Sequence, residues 1–192
     1  GTIQNGGHRK NTNSGSGGWT NFMSGLSGSG SWVTPRDLDP NDTNHLFTAT
    51  TAGIFRSTNG SSWVNVGTGG ATWFSISPVD GDVTWIVSGA ARYTTDDGAT
   101  WITASPYGFD VGGATKVLAH PTDVNTAFVT FSSYGEVAHV ARTTDMGATW
   151  EDVTGDFPSQ PVNAIAVNPS NTSQWFIGTD VGVWATENGG VN

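Results

Sequence analysis

The fold is decided by an eight-residue stretch that occurs twice, as Thr94-Thr95-Asp96-Asp97-Gly98-Ala99-Thr100-Trp101 and as Thr143-Thr144-Asp145-Met146-Gly147-Ala148-Thr149-Trp150. Its Asp can accept hydrogen bonds from backbone N–H groups two or three residues further on, and its Gly tolerates a backbone conformation that side chains disfavour. Both features predict a tight hairpin turn that ends at a Trp. Two weaker copies carry Asn instead of Asp: Asn59 in the shorter stretch 57–63, and Asn188 in 186–192.

A second turn signal precedes each copy, at Asp39-Pro40, Ser77-Pro78, His120-Pro121 and Asn168-Pro169. Between the two signals lie two short runs of β-branched and aromatic residues, such as 45–50 and 53–57. Four short strands in a period of about forty residues are typical of one blade of a β-propeller. Helical repeats of similar length would need a 3.6-residue periodicity, which these segments lack. The sequence therefore predicts an all-β chain, a β-propeller of four-stranded antiparallel blades.

The repeats divide the chain into complete and partial blades. The complete blades are expected at 31–67, 71–105 and 114–155, with the end of a blade at 1–25 and an incomplete blade at 161–192 that would gain its Trp at residue 193. We expect about four blades' worth of a larger propeller. In the alternative, the two partial blades at the ends of the chain pair into a fourth blade and close a small ring. Such a ring would crowd the inner strands at its axis.

The repeated turns resemble the Asp box, or BNR repeat, of sialidases, xyloglucanases, sortilin-like receptors and many secreted bacterial proteins. The two complete copies match the pattern Ser/Thr-x-Asp-x-Gly-x-Thr-Trp position for position, and the opening 1–6 is similar to a segment common in such secreted propellers. The resemblance implies a secreted, extracellular or periplasmic protein whose boxes lie on the rim, away from the ligand. Structural roles are therefore expected for Asp96, Gly98, Trp101, Asp145, Gly147, Trp150, Asn59, Trp63 and Asn188.

The amino-acid composition limits the classes of partner and cofactor that the chain is expected to bind. A formal charge of −9 argues against nucleic acid and anionic membrane surfaces, since both require a basic face. No apolar run approaches the 18 or so residues of a membrane span. There is no Cys for a disulfide framework, and the four histidines lack the spacing of metal ligands. We predict neither a metal nor another cofactor.

The ligand face should lie opposite the boxes, in the loops between strands two and three and between successive blades. On it we expect three aromatic candidates for ligand contact, because aromatic faces can stack on sugar rings: Tyr107, Phe109 and Tyr134. Asp156 and Phe157 also fall on this face.

Carboxylates on the same face are the catalytic candidates. A glycoside hydrolase needs two of them across a cleft, and the loops offer Asp110, Glu136 and Asp180. The simpler interpretation, which we favour, makes them ordinary loop acids. Asp37 lies in an inner strand beside Arg36, where it could be catalytic or could pair with that arginine. We favour the pairing.

Two functions from different classes follow. The first, which we favour because no acid pair stands out, is a noncatalytic propeller that binds a glycan or a protein, or serves as a structural module. The second is a xyloglucanase-like glycoside hydrolase. A sialidase is disfavoured, since the five arginines are spread over the blades. The expected partners are a polysaccharide or protein ligand, and further blades from a longer chain or another chain.

Overall fold

The computed structural model describes residues 2–190, without the side chains of residues 2–4, so the end of the 186–192 turn lies outside the described residues. Within them it contains strands and one 3-10 turn at Gln4–Gly6, but no α-helix. The strands are β1 (Thr2–Ile3), β2 (Gly7–Lys10), β3 (Thr20–Asn21), β4 (Arg36–Leu38), β5 (Leu46–Thr50), β6 (Gly53–Ser57), β7 (Val64–Gly67), β8 (Trp73–Ile76), β9 (Thr84–Ser88), β10 (Ala90–Thr94), β11 (Ile102–Thr103), β12 (Gly113–Ala119), β13 (Ala127–Ser132), β14 (Val140–Thr143), β15 (Glu151–Asp152), β16 (Val162–Val167), β17 (Trp175–Thr179) and β18 (Gly182–Thr186).

Consecutive strands pair antiparallel into five sheets. The sheets β4–β7, β8–β11 and β12–β15 each have four strands in chain order, while β1–β3 and β16–β18 have three within the described residues. The predicted fold class is confirmed: the chain is built from four-stranded antiparallel blades, because short β-forming runs alternate with tight turns.

The hydrophobic core lies between the blades. Side chains of the second and third four-stranded blades, β8–β11 and β12–β15, form one cluster. It includes the fully buried Trp85, Val129 and Phe131. The first and second four-stranded blades share another cluster around Phe47 and Phe74. Each large apolar side chain buried in this way stabilises the fold by about 1.5–3 kcal/mol. The blades therefore stack face on face, as they do around a propeller axis.

The hairpins divide the molecule into two faces. On the turn face, the turn between strands three and four of a blade contacts the turn between strands one and two, as the Asp97 N–H donates to the Asp82 carbonyl at 3.0 Å. On the loop face, the β13–β14 hairpin meets the loops between blades, as the Ala138 N–H donates to the Asp110 carbonyl at 3.0 Å. No helix of the described residues is long and apolar enough to cross a membrane.

Candidate functional site

The carboxylates of the two complete repeats are consumed by their own turns. Asp96 Oδ1 accepts from the Thr100 N–H at 2.8 Å and from the Thr94 hydroxyl at 2.8 Å, and Oδ2 accepts from the Thr100 hydroxyl at 2.7 Å. These bonds, led by that of the Thr100 amide, lower the pKa of Asp96. The corresponding bonds of Asp145, led by that of the Thr149 hydroxyl, lower its pKa in the same way. Neither carboxylate is left to act on a substrate.

The Asp96 carboxylate binds an amide further along the chain than the two or three residues expected from the sequence. It binds the amide four residues on, because Asp97 (φ 56°) and Gly98 (φ 83°) adopt left-handed conformations that lengthen the turn. In the shorter copy, Asn59 Oδ1 accepts from the Ser61 and Ser62 amides at 2.8 and 2.9 Å, two and three residues on. In the last copy, Asn188 Oδ1 accepts from the Thr186 hydroxyl at 2.7 Å.

The tryptophan that follows each turn ties its blade to the preceding one. The indole Nε1–H of Trp63 donates to the Phe22 carbonyl at 2.9 Å, that of Trp101 to Val66 at 3.0 Å, and that of Trp150 to Ser105 at 3.1 Å. In each case the acceptor belongs to the outer part of the preceding blade. The tryptophans thus combine apolar burial with a satisfied N–H group.

A charged cluster on the turn face is also internally satisfied. His45 places Nδ1 2.9 Å from Asp39 Oδ2 and Nε2 2.9 Å from Asp97 Oδ1, and Arg56 pairs with the other Asp97 oxygen at 2.6 Å. Because Asp97 belongs to the next blade, the cluster joins two blades. Burial raises the pKa of Asp97, opposed by the charge of Arg56.

Asp37 makes an inter-strand contact, and it forms no direct ion pair with Arg36, although the charge of Arg36 helps to oppose the rise that burial causes in its pKa. Its Oδ2 accepts a hydrogen bond from the Ile76 N–H at 2.7 Å, and no ion pair within residues 2–190 joins it to Arg36. Successive inner strands lie side by side near the axis, so a side chain of β4 reaches an amide of β8. Ser75 of β8 makes the same kind of contact with the next inner strand, because its hydroxyl oxygen accepts from the Ala119 N–H at 2.9 Å. Burial raises the pKa of Asp37, opposed by the hydrogen bond from the Ile76 amide.

Three loops of the loop face enclose a cleft of ≈550 Å³, which we call the loop-face cleft. The loop before β12 supplies Phe109 and Asp110, and the β13–β14 hairpin supplies Glu136. The outer strand β15 and the loop after it supply Asp152 and Phe157. The structure therefore brings together two of the predicted carboxylates, the predicted ligand contact Phe109, and Phe157, which was also expected on this face.

The two predicted carboxylates of this cleft are not engaged. Within residues 2–190, no hydrogen bond and no ion pair reaches the side chain of Asp110 or Glu136, and both residues are exposed. Asp152 is partly engaged, because its Oδ1 accepts from the Thr154 N–H at 2.9 Å. No Lys or Arg occurs among the described residues that line the cleft. The cleft thus presents acceptor oxygens and apolar ring surface together.

Besides Asp37, three predicted site residues lie outside this cleft. Asp180 accepts from the Asn163 side-chain amide at 2.7 Å, and Tyr134 is 71% exposed at the tip of its hairpin. Tyr107 lines an adjoining cleft with Phe109 and Asp110, but its ring packs against Phe131 and Trp150 at centroid distances of 5.0 and 5.1 Å. Burial raises the pKa of Tyr107 to about 12. Its ring faces are therefore largely occupied by the protein.

Sequence reasoning missed two residues of the loop face. His139 lines the loop-face cleft although its side chain is almost fully buried, and no motif distinguishes it from the other histidines. Trp32 is 69% exposed in the segment that leads into β4, and this is the same kind of connection that carries Phe109. The position of Trp32 between two blades was the available signal.

Solved structures share this fold with the chain. Their sequence identities to the chain are so low that the comparison supports the fold and nothing more. A GH74 enzyme from Niastella koreensis matches with a TM-score of 0.73 and 20% identity over 97% of this chain and 33% of that chain. The GH74 xyloglucanase from Xanthomonas campestris matches with a TM-score of 0.67 and 16% identity over 88% of this chain and 31% of that chain. A structure of YCF48 bound to a D1 peptide gives a TM-score of 0.54 and 16% identity over 77% of this chain and 52% of that chain.

These similarities support the β-propeller class. The chain spans about a third of the length of these GH74 enzymes and about half of the YCF48 chain. No family model matches the sequence, and no curated protein matches it significantly.

Proposed function

We propose that this chain is a noncatalytic β-propeller module of the Asp-box type that binds a neutral polysaccharide outside the cell. The observation that carries the proposal is the loop-face cleft, where Phe109 and Phe157 stand beside three carboxylates from three separate segments. Aromatic rings offer apolar surface to the C–H groups of a sugar ring, and carboxylates accept hydrogen bonds from its hydroxyl groups. An anionic polymer would instead meet three like charges.

Affinity gel electrophoresis against soluble polysaccharides tests this proposal. Xyloglucan, mixed-linkage β-glucan, galactomannan and anionic polygalacturonate are cast into native gels, and the migration of the protein is compared. We expect at least one neutral polymer to retard the protein and polygalacturonate to leave it unaffected. Retardation by polygalacturonate alone, or by none of the polymers, contradicts the proposal.

A matched pair of variants places the binding site. Phe109→Ala removes an aromatic ring from the cleft, while Phe176→Ala removes one that is 40% exposed on β17 and outside the cleft. Retardation should be lost only in Phe109→Ala, since only that ring can contact a ligand in the cleft. Equal retardation of both variants would exclude this cleft as the site. A protein ligand, which the peptide-bound YCF48 structure suggests as a class, would leave all gels unaffected.

A second candidate function is glycoside hydrolysis. It is favoured by one observation: Asp110 and Glu136 come from different loops and line one cleft, and their carboxylates accept no hydrogen bond within residues 2–190. Retaining and inverting glycosidases both use such a carboxylate pair. Release of reducing sugar from xyloglucan that disappears in Glu136→Gln and Asp110→Asn would replace the noncatalytic proposal with this one.

A further inference from the structure

His139 is the one residue of the loop-face cleft whose polar atoms are buried without a partner among the described residues. Its exposed fraction is 1%, and neither Nδ1 nor Nε2 forms a hydrogen bond of normal geometry, although the Gly135 carbonyl lies close enough to the ring to oppose the lowering of its pKa by burial. The His139 backbone is fixed, because its N–H donates to the Thr154 hydroxyl at 2.9 Å and its carbonyl accepts from Phe131 at 3.0 Å. The backbone that carries the ring is therefore fixed beside the cleft.

A buried polar group without a partner is uncommon, because folding removes its hydrogen bonds to water and returns nothing. Structural histidines elsewhere in the chain are satisfied: His8 bonds the Gly6 carbonyl and the Thr48 hydroxyl, and His45 bonds two carboxylates. His139 departs from this pattern at a place where a cleft adjoins it. The missing partner is best supplied by a ligand.

The aromatic cover of His139 separates the ring from solvent. Phe157 lies edge-on to the imidazole, with ring centroids 5.7 Å apart and an interplanar angle of 78°. Phe157 belongs to the loop after β15, and its N–H makes a long bond of 3.3 Å to the Thr154 carbonyl. Rotation of this side chain would bring a ligand in the cleft into contact with the imidazole.

The electrostatic surroundings decide the protonation state of His139. Burial lowers its pKa, and the Gly135 carbonyl and the charges of Asp152 and Glu136 oppose this effect only in part. Glu136 comes from the hairpin before β14 and Asp152 from β15, while Asp156, in the loop that carries Phe157, lines a different cavity beside β18. The net lowering favours neutral imidazole, which offers one donor and one acceptor.

We propose that His139 is the buried hydrogen-bonding residue of the loop-face cleft, and that its neutral imidazole binds a hydroxyl group of a neutral sugar. In this contact the sugar hydroxyl donates its proton to the unprotonated nitrogen of the neutral ring, which is the acceptor of the pair. Protonation removes the acceptor nitrogen, so binding weakens as the pH falls. This inference rests on the proposed polysaccharide-binding function and names the residue that makes it pH-dependent.

Three variants test the inference in the same gels, run at about pH 7.5 and about pH 5.5, with the neutral polymer that retards the wild-type protein. His139→Phe keeps a planar ring and removes both nitrogens, while His139→Gln restores a donor and an acceptor that do not titrate in this range. The control is His120→Phe, because His120 is also buried and has a pKa lowered by burial, but stacks on Phe128 beside a turn-face proline. Thermal unfolding is recorded for each variant.

The expected pattern has two parts. At about pH 7.5, His139→Phe should bind about fivefold more weakly than wild type, the value of one hydrogen bond between neutral groups, and His139→Gln should recover part of the loss. The wild type and His120→Phe should weaken on acidification, whereas both His139 variants should not.

The outcomes separate the two proposals. If no neutral polymer retards the wild-type protein, the proposed function and this inference both fail. If a polymer binds and a folded His139→Phe variant shows wild-type affinity and pH dependence, only the inference fails. Should His139→Phe not fold, a wild-type pH profile in His139→Gln would overturn the inference equally.

Discussion

Both faces of the molecule carry acidic side chains, but the carboxylates of the two faces differ in the hydrogen bonds that they accept. On the turn face, Asp96 and Asp145 each accept three hydrogen bonds from the threonines of their own turns. On the loop face, the side-chain carboxylates of Asp110 and Glu136 accept none within residues 2–190. A carboxylate saturated by its own turn stabilises that turn, while an unsaturated one beside apolar rings is available to a ligand. The number of hydrogen bonds, rather than the residue type, distinguishes scaffold from candidate site.

The largest expected effect contrasts two tryptophans. Trp63 is 3% exposed, stacks near Phe22 with centroids 4.7 Å apart and donates to the Phe22 carbonyl. Trp63→Ala should lower the free energy of unfolding by about 3–5 kcal/mol, because it leaves a large cavity between blades. The matched change Trp32→Ala, at an exposed loop-face position, should alter it by no more than about 0.5 kcal/mol. Denaturant unfolding measures both, and equal losses would refute the contrast.

A smaller effect is expected at the threonine that opens the repeated turn. The buried Thr143 hydroxyl donates to Asp145 at 2.9 Å and accepts from the Gly147 N–H at 2.8 Å. Thr143→Val keeps the shape but leaves that N–H without a partner, at a cost of about 1–3 kcal/mol in unfolding free energy. Thr144→Val, at the exposed neighbouring position, is the control. Similar values for the two would show that the turn does not need this hydroxyl.

The smallest expected effect is a pH dependence of stability near neutrality. Burial lowers the pKa of His8, His120 and His139 below 6.5, so the unfolded chain takes up protons first as the pH falls. Stability is therefore full above about pH 6.5 and declines below it. Asp37 and Asp97, whose pKa values are raised by burial from 3.8, act with the opposite sign at lower pH. Urea unfolding at about pH 7.5 and about pH 5.5 should show the decline, and a flat or rising stability would contradict it.

The fold was predictable because the turn chemistry repeats. Asp, Gly and Trp at fixed spacing specify a hairpin and its packing residue, and four strands per period specify a blade. The site was only partly predictable. That Asp110 and Glu136 share a cleft depends on the twist and stacking of blades, and no spacing along one chain encodes this arrangement.

Two residues show where sequence reasoning ended. Asp37 stands next to Arg36 in sequence, but successive strand residues point to opposite faces, so Asp37 reaches the neighbouring inner strand instead. His139 gave no signal because its importance lies in an absence, the missing partners of a buried ring, which only three-dimensional packing reveals.

The division of labour between the faces is tested most directly by one paired measurement, thermal unfolding and polysaccharide retardation of Asp145→Ala beside the double variant Asp110→Asn/Glu136→Gln. The account predicts that Asp145→Ala lowers the Tm and keeps wild-type retardation, because its carboxylate serves only the turn. The double variant should keep the wild-type Tm and lose retardation. The opposite pattern, with retardation lost in folded Asp145→Ala and intact in the double variant, would contradict the account.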